Sequence, residues 1–172
     1  MIDSFIKLPE IQINDKSLFS FILDANDSDW NILPWGQSVF YNWKKCNDIK
    51  QLSSKFSKHV NFSIIECMRF DSNKSLPIHK DGKRTAVIQI PLSNNCQSTP
   101  TLFYNDNKEL IDKIEWTDGS AWMFDTHSWH SIHNTSDESR YMLCISFYGQ
   151  TYIELLKLYK SNQFFKIGHN VY

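Results

Sequence analysis

The chain reads Pro77-Ile78-His79-Lys80-Asp81-Gly82 and, further on, Phe124-Asp125-Thr126-His127-Ser128-Trp129-His130-Ser131-Ile132-His133-Asn134. An arginine, Arg140, then opens an apolar run that ends at Tyr148. The two quoted stretches are rich in imidazoles and carboxylates, the side chains that bind divalent metals. Their order along the chain predicts a chemical site as well as a fold.

His79 and Asp81 are suited to binding one metal ion together. In an extended segment, side chains two positions apart point to the same side. Two imidazoles and one carboxylate are the ligand set of a non-haem Fe(II) that activates dioxygen, with the opposite coordination positions left open. We expect the second imidazole to come from the downstream stretch, where His127, His130 and His133 are the candidates.

Arg140 adds a second chemical function to this pattern. Its guanidinium is planar and permanently charged, so a fixed arginine near the metal is suited to binding a carboxylate through two hydrogen bonds. The sequence therefore predicts an iron site with room for a dicarboxylic acid.

The composition predicts one globular domain, residues 1–172. Apolar residues make up 41% of the chain and aromatic residues 15%, enough for a sizeable core. The net charge of −1 and the pI near 6.6 provide no basic field, so binding to a nucleic-acid backbone is not expected.

The expected compartment is the cytoplasm. No signal peptide and no membrane span is visible in the sequence, so we expect no membrane partner. The four cysteines lack CxxC spacing and are expected to be reduced and mostly buried.

Hydrophobic periodicity divides the domain into three parts. Residues 1–60 are expected to form a helical buttress, with helices at 15–23 and 47–60. Residues 61–149 are expected to form the core of the fold. Residues 150–172 are expected to hold a C-terminal helix and tail, in which Thr151 and Glu154 form a capping box and the helix runs through Lys160.

The core part consists of short β-branched and aromatic segments separated by turn residues. This pattern is typical of a mainly β protein, and with the flanking helices it predicts a double-stranded β-helix, the cupin-like jelly roll. The predicted strands are 61–70, 85–92, 101–104, 120–124, 129–134 and 140–148.

These motifs resemble a known family, the Fe(II)/2-oxoglutarate-dependent dioxygenases, and within it the aspartyl/asparaginyl β-hydroxylase-like branch. In that branch a Phe-Asp step precedes the distal histidine, a hydrophobic-x-Asn step follows it, and an arginine comes about ten positions later. The resemblance covers residues 62–148. The matching residues are Phe124, Asp125, His130, Ile132, Asn134 and Arg140.

The resemblance implies a ligand set and a reaction. The metal ligands would be His79, Asp81 and His130, and Arg140 would bind the far carboxylate of the co-substrate 2-oxoglutarate. The reaction would use O2, release succinate and CO2, and hydroxylate a peptide or amino-acid side chain. His127 is then expected at the rim of the site, and His133, which has the opposite strand parity to His130, should face away.

Gln89 is a further candidate co-substrate ligand. An amide in an apolar strand is costly to bury unless it forms hydrogen bonds. In the resembled branch, a histidine that touches the 2-oxoglutarate carboxylate stands at the matching place, so the resemblance implies that Gln89 would join Arg140 at the far carboxylate. The alternative interpretation is an outward glutamine on an edge strand.

The sequence does not determine where several other polar and aromatic residues lie relative to the site. Arg69 and Arg84 could reach either the co-substrate or the substrate. An aromatic cluster could line a substrate cleft, although such clusters more often belong to the core. Its members are Trp30, Trp35, Tyr41 and Trp43.

The sequence also departs from the family pattern. Thr126 and Ser128 replace residues that are common there, and no serine stands two positions after Arg140. These departures leave the sub-branch and the substrate open, with peptidyl Asp, Asn or Pro, a free amino acid and other small metabolites as candidates. Asp125 is expected to orient a neighbouring histidine by a hydrogen bond.

Three alternative functions stay open. The first is a cupin-like enzyme that uses the same ligands without 2-oxoglutarate, and the second is a non-catalytic jelly-roll binding module. The third, repair of alkylated nucleic acid, is disfavoured by the charge balance and by the missing serine after Arg140.

Overall fold

The computed structural model describes residues 4–11, 13, 15–33, 37–40 and 46–166, in which eleven strands and three α-helices are formed. The strands are β1 (Phe5–Lys7), β2 (Trp30–Ile32), β3 (Gln37–Phe40), β4 (Ile64–Phe70), β5 (Ser75–His79), β6 (Ala86–Pro91), β7 (Thr101–Tyr104), β8 (Leu110–Ile114), β9 (Trp122–Asp125), β10 (Trp129–His133) and β11 (Arg140–Phe147). The helices are α1 (Asp15–Leu23), α2 (Asn47–Lys55) and α3 (Tyr152–Lys160).

The strands form two antiparallel sheets. The major sheet has the order β1-β9-β6-β11-β4-β3-β2, and the minor sheet has the order β5-β10-β7-β8. From β4 to β11 successive strands alternate between the sheets, except for the β7–β8 hairpin within the minor sheet, so that β5 and β10 meet in the minor sheet while β4 and β11 meet in the major sheet. This arrangement is the predicted double-stranded β-helix, or jelly roll.

The major sheet has a core on each of its faces, and β11 shows why. Its side chains alternate, as the pleat of a strand requires. Leu143, Ile145 and Phe147 pack into a cluster that includes residues of all three helices, here called the helix-side core. Met142 and Cys144 pack into the inter-sheet core between the two sheets. Gln89 and Arg140, described below, belong to this inner face of the major sheet.

Three strands occur in the N-terminal part, where the sequence predicted only helices. β1 pairs with β9, and the β2–β3 hairpin pairs with β4, so this part extends the major sheet as well as covering it. These strands are three or four residues long, too short to produce a recognisable period in the sequence.

The predicted second helix is correct at its start but too long. It ends at Lys55 because Phe56 is extended (ψ 142°) and forms an isolated bridge with Phe165. By contrast, α3 begins and ends as predicted. Glu154 N–H donates to Thr151 Oγ1 (3.3 Å), and Thr151 N–H donates to Glu154 Oε2 (2.8 Å), which completes the predicted capping box.

The sequence prediction also lacks β5 and β8. Both are edge strands of the minor sheet. β5 contains Pro77, which has no N–H to donate and is tolerated at an edge, and most of β8 is exposed. In the described part of the chain every α-helix has nine residues, and none is long and apolar enough to cross a membrane.

Asn134, directly after β10, ties the minor sheet to the major one. Its side chain is 1% exposed, and Nδ2 donates to the carbonyls of Phe70 (3.1 Å), Asp71 (3.0 Å) and Glu138 (2.9 Å). Its Oδ1 accepts from the hydroxyl of Ser136 (2.8 Å). Asn134 therefore fixes the turn between β10 and β11 against the end of β4.

We expect Asn134→Ala to lower the free energy of unfolding by about 2–4 kcal/mol, because several buried polar groups lose their partners. Urea denaturation followed by circular dichroism measures this difference. Asn107→Ala, in the exposed turn between β7 and β8, is the matched control, with an expected change below about 0.5 kcal/mol. Equal losses in the two variants would contradict this role of Asn134.

Candidate metal centre

The pairing of β5 with β10 brings two histidines together from distant parts of the chain. His79 is the direct partner of His130 in the antiparallel register, and the imidazole centroids are 4.3 Å apart. The register shifts by one residue between His130 and Ile132, which marks a β-bulge in β5 near Pro77. Such bulges locally re-aim side chains, and this one lies directly before His79.

Asp81 reaches the same place from the loop after β5. Its backbone N–H donates to the carbonyl of Thr126 (2.9 Å), which holds the loop against the turn between β9 and β10. Asp81 Oδ1 lies 3.4 Å from His79 Nε2. The ligand atoms of His79, Asp81 and His130 all lie within 4.8 Å of one another, the one such group found among the described residues.

Both imidazoles are oriented by backbone carbonyls. His79 Nδ1 lies 2.8 Å from the carbonyl oxygen of Pro77, and His130 Nδ1 lies 2.9 Å from that of Ser128. Because a carbonyl can only accept, each Nδ1 carries the proton, and Nε2 of each ring is the candidate ligand atom. This is the tautomer that a metal site requires. In the structure, His79 Nε2 faces Asp81 Oδ1.

Asp125 lies in the turn before His130, and its hydrogen bonds differ from those predicted. Its carboxylate accepts from the backbone N–H of His127 (2.9 Å) and from the hydroxyl of Ser128 (3.4 Å). Asp125 therefore shapes the turn that presents the Ser128 carbonyl, and does not bond an imidazole ring directly.

The other two candidate histidines lie outside the group. His127 is exposed. His133 faces away from His130, as its strand parity predicted, and its ring is hydrogen-bonded to Ser75 (3.0 Å) and Ser131 (3.2 Å). Neither side chain belongs to the cluster of metal-binding groups.

The pKa values of His130 and Asp81 favour the forms that bind a cation, whereas that of His79 favours the protonated form in the metal-free protein. Burial lowers the pKa of His130 to about 4. Burial alone would lower the pKa of His79, but its hydrogen bonds to Asp81 and to the Pro77 carbonyl outweigh this, and the pKa is raised. Burial would raise the pKa of Asp81, yet the hydrogen bond with His79 and the charge of Arg84 lower it to about 2. The carboxylate is thus ionised across the physiological range.

A pocket of about 510 Å³ opens beside this group. Its walls are largely apolar, with polar side chains at a few places, as is usual for a small-molecule site. The polar members include Glu66, Arg84 and Gln89. The apolar members include Val39, Met68, Leu76, Phe124 and Ile132.

Gln89 lines this pocket from β6. Its side chain is buried opposite Cys144, Nε2 donates to Cys144 Sγ (3.4 Å), and Oε1 has no hydrogen-bond partner. The alternative of an outward glutamine on an edge strand is wrong, because β6 lies between β9 and β11.

Arg140 begins β11 and points to the inner face, where it is 1% exposed. Its Nε and Nη2 have no hydrogen-bond partner, and the guanidinium lies 5.7 Å from the ring centre of Trp116. Trp116 Nε1 also lacks a partner, as does Thr101 Oγ1 on β7 of the minor sheet. A buried, unpaired guanidinium is costly, and an anion would relieve this cost.

The structure does not bring Arg140 and Gln89 to one point. Gln89 pairs with Cys144, four residues further along β11 than Arg140, which is about 13 Å at the rise of a strand. Arg140 is also not among the residues that line the pocket. The two side chains therefore lie at different positions along the inner face of the major sheet.

Arg84 and Glu66 are the polar pocket residues whose partners the sequence did not predict. Arg84 Nε donates to Asp81 Oδ2 (2.6 Å), and Arg84 Nη1 lies 3.6 Å from Glu66 Oε1. Arg69 instead lies on the helix side of β4, with its guanidinium 5.0 Å from the ring centre of Trp30.

The aromatic cluster proposed from the sequence is only partly visible. Trp30 packs against Phe40 (5.5 Å between ring centres) and Tyr141 (6.1 Å), next to the helix-side core and away from the pocket. Trp35, Tyr41 and Trp43 lie outside the described residues.

The fold is that of the 2-oxoglutarate/Fe(II) oxygenases. A prolyl hydroxylase from Trichoplax adhaerens, solved with a hypoxia inducible factor peptide fragment, is similar with a TM-score of 0.64 and 12% identity, covering 84% of this chain and 83% of that chain. A Pseudomonas putida prolyl-4-hydroxylase has a TM-score of 0.62 and 10% identity, with 86% and 93% covered. The viral collagen prolyl hydroxylase of Paramecium Bursaria Chlorella virus-1, in complex with 2-oxoglutarate, has a TM-score of 0.55 and 14% identity, with 84% and 95% covered.

The family of this chain is shown by a match to a model of family sequences. The model of the aspartyl/asparaginyl β-hydroxylases matches residues 13–149. The chain therefore belongs to the aspartyl/asparaginyl β-hydroxylase family, and the resemblance drawn from the motifs is confirmed. Among curated proteins, no sequence matches the chain significantly.

The pKa values lead to a test on the metal-free protein. We expect the His130 imidazole to stay neutral until the pH falls to about 4 and His79 to titrate above its ordinary value of 6.5. Since an unfolded histidine protonates near pH 6.5, the stability that depends on neutral His130 is complete above that pH and is lost as the pH falls towards 4.

NMR titration of the imidazole C–H signals, assigned with His130→Gln and His79→Gln, measures both values. Addition of Zn(II) should remove the pH dependence of both signals over this range, because a bound metal replaces the proton. A His130 signal that titrates near pH 6.5 without metal would contradict the buried, neutral imidazole.

Proposed function

We propose that the protein is an Fe(II)- and 2-oxoglutarate-dependent oxygenase that hydroxylates a peptide or amino-acid side chain. In this proposal His79, Asp81 and His130 bind the metal. The feature that supports it most directly is the set of two imidazoles and one carboxylate whose ligand atoms lie within 4.8 Å of one another. Family membership agrees with it.

The chemistry of His79, Asp81 and His130 suits Fe(II) as the bound metal. Both histidines have Nδ1 bonded to a carbonyl, which leaves Nε2 as the candidate ligand atom, and Asp81 is ionised. Two imidazoles and one carboxylate leave the remaining coordination positions open for a co-substrate and for dioxygen. The bound metal would supply dioxygen activation, and 2-oxoglutarate would supply two electrons and leave as succinate and CO2.

Arg140 is the proposed partner of the far carboxylate of 2-oxoglutarate. Its Nε and Nη2 are buried without acceptors, and the neighbouring Trp116 has a further unpaired donor, Nε1. A dicarboxylic acid with one end at the metal would satisfy these groups. Since Arg140 does not line the pocket, the side chains around it have to admit this carboxylate when the co-substrate binds.

Gln89 has a different part in this proposal. It lines the pocket near the metal-binding group and has a free amide oxygen. We assign it to the metal-proximal end of the co-substrate, where a half-turn of its amide would present N–H to a carboxylate. The apolar wall around it, formed by residues such as Phe124 and Ile132, excludes water from the reacting groups.

The substrate is proposed only by class. One similar fold is a prolyl hydroxylase in complex with a peptide fragment, and the family is named for Asp and Asn side chains. A peptidyl Asp, Asn or Pro and a free amino acid are therefore the first substrates to test.

An anaerobic titration tests the cofactor chemistry. Fe(II) followed by 2-oxoglutarate should produce a weak visible metal-to-ligand charge-transfer band in the wild type and none in His79→Ala. Arg140→Ala should keep its Fe(II) affinity but weaken 2-oxoglutarate binding by about 2–3 kcal/mol, the scale of a charged hydrogen bond. Arg69→Ala, an arginine on the opposite face of the major sheet, should behave as the wild type.

The outcomes separate the alternatives. Fe(II) binding without the band would favour a cupin-like enzyme that does not use 2-oxoglutarate. Absence of Fe(II) binding would favour a non-catalytic jelly-roll module. Wild-type 2-oxoglutarate affinity in Arg140→Ala would contradict the assignment of Arg140.

Turnover is tested separately with oxygen present. Succinate release should rise above the uncoupled rate when a substrate of the right class is added, and His130→Ala should release none. Peptides containing Asp, Asn or Pro and the corresponding free amino acids form the first panel. Succinate release that is independent of His130 would contradict catalysis at this metal centre.

A further inference from the structure

Arg84 links the metal-binding group to the major sheet. It lies in the loop between β5 and β6, and its side chain is 13% exposed. Nε donates to Asp81 Oδ2 at 2.6 Å, and Nη1 donates to Ser146 Oγ at 3.4 Å. A nearly buried arginine thus spans the distance from a proposed metal ligand to the inner face of β11.

Glu66 completes this chain of charges. Its carboxylate, on β4, lies 3.6 Å from Arg84 Nη1 and accepts a hydrogen bond from Ser146 Oγ (2.9 Å). Its side chain is 6% exposed. One buried cation therefore stands between two carboxylates, those of Asp81 and Glu66, and each buried charge has an opposite partner.

The consequence for Asp81 is that its two oxygens have different surroundings. Oδ2 is held by Arg84, while Oδ1 faces His79 Nε2 at 3.4 Å. A carboxylate fixed in this way offers a single oxygen to the metal position. One carboxylate oxygen and two imidazoles leave more coordination positions open than a carboxylate bound through both oxygens.

The backbone around Arg84 is fixed as well. Thr126 Oγ1 donates to the Arg84 carbonyl at 2.5 Å, and the Thr126 carbonyl accepts from Asp81 N–H at 2.9 Å. Thr126 is fully buried. The loop that carries Asp81 and Arg84 is therefore braced at both residues by the turn that leads to His130.

We propose that Arg84, held by Glu66 and Ser146, is a positioning residue that fixes Asp81 as a one-oxygen metal ligand. The inference rests on the proposed metal site. It assigns Arg84 to the metal and not to the carboxylates of substrate or co-substrate, because Nε and Nη1 are already engaged. Arg140 has the opposite character, since its Nε and Nη2 have no hydrogen-bond partner.

Binding of Co(II) alone to the metal-free protein tests this inference without 2-oxoglutarate or substrate. Arg84→Gln should weaken Co(II) binding by about 10- to 100-fold, the usual effect of removing a residue that orients a metal ligand. It should also change the visible d–d spectrum, which reports coordination number and which a purely structural residue would leave unchanged. Arg84→Lys, which keeps the charge but not the planar fork, should give an intermediate affinity.

Two further variants control for folding and charge. Arg69→Gln removes a partly buried arginine on the other face of β4 and should keep the wild-type affinity and spectrum. The double variant Glu66→Gln with Arg84→Gln restores the balance of buried charge, so it should fold even if Arg84→Gln alone does not. Its Co(II) affinity should remain low, since Asp81 still lacks its partner.

Wild-type Co(II) affinity and spectrum in the double variant would overturn the inference. So would an Arg84→Lys variant that binds Co(II) normally but loses 2-oxoglutarate affinity, because Arg84 would then be a co-substrate ligand. Co(II) binding that is unaffected by His79→Ala would refute the proposed metal site itself. This last result is distinguishable from a failure of the inference about Arg84, since the His79→Ala variant leaves Arg84 unchanged.

Discussion

The antiparallel pairing of β5 with β10 is the constraint on which the site depends. It sets His79 opposite His130, and its bulge aims the first imidazole at the second. Because side chains alternate along a strand, a slip of one residue would turn one histidine to the outer face. The pairing of β10 with β7 on its other side, where His130 stands opposite the buried Phe103, secures this register.

Buried charge is distributed unequally over the inner face of the jelly roll. At the metal end, Asp81, Arg84 and Glu66 are paired with one another, so the protein can bury them before any ligand binds. At the other end, Arg140 has unpaired donors. An ion pair that is complete in the free protein favours rigidity, whereas an unpaired buried charge favours a ligand of opposite sign. The two arginines therefore have different chemical parts although both are buried.

The sequence predicted the fold class, six of the core strands and the three side chains that the fold brings together, His79, Asp81 and His130. The fold class and the strands depend on local patterns, whereas the choice of His130 among three histidines came from the resemblance to the family. Strand alternation, turn residues and the spacing of histidines are all visible in a single chain. It did not predict the partners of Arg84, since Glu66 and Ser146 are distant in sequence and meet it only in the folded sheet. Nor could it predict the bulge in β5, which depends on pairing with β10. Thr126 and Ser128 stood out as departures from the family pattern, and the structure gives them defined bonds to the loop and to His130.

β11 relates the two ends of the site to each other. Its inner face presents Arg140 at one end and Ser146, which contacts Arg84, at the other. These positions are six residues apart, about 20 Å along a strand. Arginine suits both places because it extends far from its backbone while keeping a fixed charge. The strand thus separates two buried arginines with different surroundings. Arg84 is bonded to Asp81 at one end, and Arg140 has Nε and Nη2 unpaired at the other.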